Sequence, residues 1–173
     1  MKSELEKLKK ELLNWSDYHT DIEILEMNRE KYEKVFNYFK KANFKIRYFL
    51  ERSSREDEVK PKVLLPIGPE DRSWNKANIS GNGLKFLMVF YGEYDDMFLD
   101  FLAEEISSVK KARSLAKLMK DLANLLDETV TINGGHSDTV IVECIPEDEC
   151  LRLYHEPELF YVRSSFSKKS RAS

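Results

Sequence analysis

Residues 21–52 read DIEILEMNREKYEKVFNYFKKANFKIRYFLER, and their hydrophobic period changes twice. Over 21–27, Ile22 and Ile24 fall on one side of an extended chain, the period-two pattern of a strand. Asn28 then stands where a helix N-cap is wanted. Tyr32, Val35, Phe36 and Phe39 follow at the three- and four-residue intervals of a helical stripe. Glu30 in the first turn and Lys40 and Lys41 in the last suit the two ends of the helix dipole, and Asn43 supplies a stop. Residues 44–52 return to period two. Phe44, Ile46, Tyr48 and Leu50 point one way and Lys45, Arg47 and Glu51 the other, which predicts a half-buried strand at or near a sheet edge.

The same patterns extend outward. Ahead of this unit, Ser3 and Glu6 have capping-box spacing, and Leu5, Leu8 and Leu12 share one face of a helix ending near Asn14. Beyond it, 53–58 is a polar turn, 62–67 a short strand closed by Pro66, and 68–83 an irregular stretch rich in Pro, Gly, Asn and Ser. The continuous apolar run 84–91 predicts a strand buried on both faces. Residues 94–128 predict a long helix with Phe98, Leu102, Ile106, Val109, Leu115, Met119, Leu122 and Leu126 on its core side, kinked or split at Ser107 and Ser108. Residues 129–132 and 139–145 form a hairpin around Asn133, Gly134 and Gly135. Pro146 opens a short acidic helix that Pro157 ends.

From residue 21 the order is β, α, β, short β, β, α, β, β, α. It resembles the ferredoxin-like order of elements. The expected architecture is an α+β, ferredoxin-like βαββαβ two-layer sandwich with an extra N-terminal helix, a C-terminal hairpin and a short C-terminal helix. A likeness of element order implies no function. A single α+β domain over 1–163 and a flexible basic tail over 164–173 are expected.

Composition narrows the class. Apolar residues make up 42% and charged residues 34%, enough to build a core and too apolar for a disordered chain. The net charge of −3 supplies no overall attraction to nucleic acid. Met1 opens onto a charged segment, and the longest apolar run, 86–91, is too short for a bilayer. The expectation is a cytoplasmic protein with reduced thiols and no membrane contact. Absence of glutamine beside abundant Lys and Glu leans toward a thermophilic composition.

Four groups of residues offer chemistry. His19-Thr20-Asp21 and His136-Ser137-Asp138 each precede a strand. An Asp two positions after His projects from the same side of an extended chain, so His19, Asp21, His136 and Asp138 are candidates for a metal-assisted hydrolytic site. The expected sheet, however, holds the two pairs at opposite ends, roughly 15–20 Å apart. Cys144, Cys150 and His155, with His136, lack zinc-ligand spacing, and Cys144 alternates with Val140 and Val142 as a buried residue, so no metal is expected. Arg72, Trp74 and Lys76 in the irregular stretch form a candidate partner- or ligand-binding loop. Lys45 and Arg47, with Lys110, Lys111, Arg113 and Lys117 on the polar side of the long helix, are the candidate nucleic-acid contacts, joined by the basic tail. Gly81-Asn82-Gly83 precedes a strand rather than a helix, so it is not read as a phosphate loop, and no cofactor is expected.

The leading expectation is a non-enzymatic binding or regulatory domain with a protein partner. It would act through the Trp74 loop, a sheet edge, or self-association of the Leu5, Leu8 and Leu12 face as a dimer. An RNA- or DNA-associated protein and a metal-assisted hydrolase are the alternatives.

Overall fold

A computed structural model describes residues 2–14, 19–50, 75–90, 96–134, 139–147, 150–155 and 158–163. Among these residues the chain forms three α-helices and nine strands. In chain order they are α1 (Lys2–Leu13), β1 (His19–Ile24), α2 (Arg29–Lys41), β2 (Lys45–Leu50), β3 (Asn75–Gly81), β4 (Leu84–Phe90), β5 (Met97–Leu102), α3 (Val109–Leu126), β6 (Val130–Gly134), β7 (Val140–Cys144), β8 (Cys150–His155) and β9 (Glu158–Arg163). A 3-10 turn, Ala103–Glu105, lies between β5 and α3. The fold is therefore α+β.

All nine strands join one antiparallel sheet in the order β2-β3-β4-β5-β1-β6-β7-β8-β9. β1 is central, between two four-strand meanders. β5 and β6 each run antiparallel to β1, so they are parallel to one another, and α3 makes the connection between them. α2 carries the chain from the central β1 to β2 at the sheet's end.

The three helices share one face. α3 packs on β4, β6 and β7 and touches both α1 and α2, while α1 reaches β8 and β9. Ile22 and Ile24, Ala77 and Ile79, Phe86 and Met88, Leu99 and Phe101, and Leu151 and Leu153 are buried beneath them. Alternate positions point to the other face, which is polar at Asp21, Glu23, Asn78, Lys85 and Asp100. Two helix ends follow the expected chemistry. The Asn28 side chain accepts from the Lys31 amide at 2.9 Å. At the other end of α2, Phe44 N–H reaches Phe39 C=O and Asn43 N–H reaches Lys40 C=O, with Asn43 at φ 60: the double bond and left-handed residue that close many helices.

Several expectations are corrected. The long helix over 94–128 is a strand, a 3-10 turn and α3. Met97, Leu99 and Phe101 are buried in alternation, and Ser108 caps α3 by accepting from Lys111 N–H. The irregular stretch ends earlier than expected, because β3 starts at Asn75 and pairs with β2 and β4. Asn82 and Gly83, at φ 54 and 80, make the two-residue turn between β3 and β4. β4 buries Leu84, Phe86 and Met88 and leaves Lys85 exposed, so only one of its faces is covered. The short C-terminal helix is replaced by β8 and β9, since Leu151 and Leu153 alternate into the core. α1 begins at Lys2, one residue ahead of Ser3, so Ser3 is not its cap.

The hairpin over β6 and β7 forms as expected, with a bulge between Ile132 and Asn133. Cys144 is buried. The expected short strand over 62–67 and the basic tail over 164–173 lie outside the described residues. No helix among the described residues is long and apolar enough to cross a membrane.

Candidate functional site

α2 runs back along α3. Lys31 near the start of α2 pairs with Glu128 just past the end of α3. One turn before the end of α2, Tyr38 donates its hydroxyl proton to Asp121 Oδ2 at 2.7 Å. The last turn of α2 then meets the β3–β4 turn, where Asn82 Nδ2 donates to Ala42 C=O at 3.5 Å. Gly83 of the same turn faces the Lys111 stem. The end of α2, the β3–β4 turn and the first half of α3 thus enclose a groove of about 890 Å³.

Lys41, Lys110, Lys111 and Lys117 line that groove, with Asn82, Ser108 and Ser114 between them and Asp121 as its only carboxylate among the described residues. The cations gather where a helix begins. α3 has no acidic residue in its first turn, so its positive end is met by Lys110 and Lys111 instead of by carboxylates, the reverse of the usual arrangement. Amides in the first turn of a helix have no carbonyl partner within it, and Ser108 takes that of Lys111. Lys111 also donates to Glu105 C=O at 2.8 Å, which fixes its stem and leaves two ammonium protons for another acceptor. Lys117 pairs with Asp121. Burial, and then the hydrogen bond and charge of Asp121, push the Tyr38 hydroxyl well above the ordinary phenol range.

A second, smaller groove of about 440 Å³ opens on the far face of the sheet. Its lining mixes Arg47 and Lys85 with Asp100 and Glu105, so it carries no dominant sign of charge.

The residues singled out from sequence separate in space. Lys110, Lys111 and Lys117 line the larger groove, and Arg113 lies on α3 outside its lining. Lys45 and Arg47 alternate with the buried Phe44 and the half-buried Ile46, so they point to the face opposite α3. The two basic groups do not form one surface. Lys76 lies in β3, paired with Phe49 and Val89, and Arg72 and Trp74 lie outside the described residues. Leu5, Leu8 and Leu12 are buried within the molecule against α3 and its neighbours, so they offer no face for self-association.

His19 and Asp21 of the first His-x-Asp pair lie in β1. β1 and β6 are antiparallel with Thr20 opposite Gly134, which places His19 at the end of the sheet where the β6–β7 connection begins. His136 and Asp138 themselves lie outside the described residues. Asp21 faces Asp100 across the β1–β5 ladder. Among the described residues no group of three or more His, Cys, Asp and Glu is placed to hold a metal ion.

Sequence reasoning gave Lys41, Ser108 and Asp121 no site role and set Asn82 and Gly83 aside as a phosphate loop, although all five line the groove. The dipeptide Asn82-Gly83 is itself a strong hairpin signal, and applying it there would have placed β3 and β4 on either side of a turn.

Comparison with protein-family models, with curated proteins and with solved structures finds no match for this chain.

Proposed function

We propose that this chain is a non-enzymatic binding domain that takes a phosphate-bearing ligand in the groove between α2 and the start of α3. One observation carries the reading: among the described residues four lysines and a single carboxylate line the groove, in a chain whose net charge is −3. Such a local excess draws an oxyanion electrostatically, and ammonium–phosphate hydrogen bonds are of the stronger, charge-assisted kind. The groove keeps the helix part of the expected nucleic-acid surface and leaves out Lys45 and Arg47. It differs from the expected partner loop around Trp74. A protein partner along β2 is the second reading, supported by the position of β2 at the end of the sheet.

The same reading retains the ferredoxin-like description for the middle of the sheet alone, where β5, β1 and β6 with α3 supply the supporting order, and treats the remaining strands as extensions.

Titration calorimetry with tripolyphosphate tests the groove. The wild-type chain is expected to bind at one site. Lys110→Ala together with Lys111→Ala should weaken binding about tenfold or more, at roughly 1.5–3 kcal/mol for each charge-assisted bond. Equal affinity in wild type and double variant would contradict the proposal.

A further inference from the structure

The groove is asymmetric, and on the reading of it as a phosphate site its far end identifies the ligand further. Lys110, Ser114, Lys117 and Asp121 follow one another on α3 at intervals of four, three and four residues, so they form one stripe along the groove. A rise of 1.5 Å per residue separates Lys110 from Asp121 by roughly 16 Å along the axis. The cationic end holds the first turn of α3 with Lys110 and Lys111, and the β3–β4 turn brings the end of α2, with Lys41, beside it. The opposite end holds Asp121. Tyr38 and Lys117 both bond its Oδ2, which leaves Oδ1 to accept from a ligand.

This order of charges suits one kind of molecule better than another. A nucleic-acid strand carries a phosphate at every step and would bring one against Asp121 on leaving the groove. A compact molecule with phosphates at one end and hydroxyl groups at the other meets lysines with the first and a carboxylate acceptor with the second. The volume of about 890 Å³ lies within the range of small-molecule sites. We propose that the ligand is a nucleoside polyphosphate, its phosphates held by Lys110, Lys111 and Lys41 and a sugar hydroxyl donating to Asp121 Oδ1.

The test compares ATP, tripolyphosphate and a thymidine oligonucleotide by calorimetry on the full chain. ATP should bind at one site and about tenfold more tightly than tripolyphosphate. In Asp121→Ala that advantage should fall to about twofold or less, while tripolyphosphate binds as well as before or better because a negative charge has left the groove. Tyr38→Phe keeps the carboxylate and should keep the advantage. Equal binding of ATP and tripolyphosphate to the wild-type chain overturns the inference, and that comparison decides the matter even where Asp121→Ala fails to fold. An advantage that survives Asp121→Ala, or tighter binding of the oligonucleotide with affinity rising with its length, also overturns it, yet leaves the groove a phosphate site. If neither ATP nor tripolyphosphate binds, the inference and the underlying reading fall together.

Discussion

Phe44 is held edge-on against Phe39 of α2, their ring centroids 5.1 Å apart, and its other side rests on the bare backbone of Gly81. A Cβ added at Gly81 would stand 2.8 Å from two ring atoms of Phe44. No side chain fits there unless the ring gives way, so Gly81→Val should cost about 1–3 kcal/mol as overpacking, read as a lower urea midpoint. An unchanged midpoint would mean that this contact does not form. Tyr38 gives a prediction in pH. Burial and its bond to Asp121 hold its hydroxyl above the usual range, so its pKa is raised in the folded chain relative to the unfolded one. The stabilisation from the bound proton is complete below the unfolded value of about 10 and is lost as pH rises from there toward the raised folded value. Urea unfolding should show the wild-type margin over Tyr38→Phe constant up to about pH 9 and shrinking as pH rises past about 10. A margin independent of pH would show that Tyr38 is not the donor to Asp121.

Elements were legible from sequence where one period was written clearly. β1, α2 and β2 follow from Ile22 and Ile24, from the stripe Tyr32, Val35, Phe36 and Phe39, and from the alternation of Phe44 and Ile46. β5 was not legible for a definite reason. In MFLDFL, Phe98 and Leu102 are four apart and suggest a helix, while Met97, Leu99 and Phe101 alternate and suggest a strand. The sheet decides, because β1 and β4 present ladders on both sides of β5. The two assignments predict opposite mutational results. Leu99 is fully buried and Leu102 is 40% exposed, so Leu99→Ala should cost about 2–5 kcal/mol and Leu102→Ala about 1 kcal/mol or less. The reverse ranking would restore the helix. β8 was hidden similarly, because Pro146 and the acids after it look like a helix start, and only pairing with β7 and β9 shows the alternation of Leu151 and Leu153 to be decisive. The groove was legible only in part. Lys110, Lys111 and Lys117 stand out as a cluster, but Lys41 and Asn82 come from two other places in the chain and meet it only once α2 lies back along α3.

For the molecule as a whole, the sheet divides charge between two surfaces. The helical side gathers four lysines around one groove, while the open side mixes Arg47 and Lys85 with Asp21, Glu23 and Asp100. A phosphate compound should therefore distinguish the surfaces sharply. Backbone amide chemical shifts of the isotope-labelled chain, followed while tripolyphosphate is added, test this directly. The groove reading predicts saturable shifts at Asn82 and Gly83, at Ser108 to Lys111, at Ser114 and Lys117, and at Lys41, with Lys45, Arg47 and Lys85 unmoved. Shifts centred on Lys45, Arg47 and Lys85, or none that saturate, would contradict it.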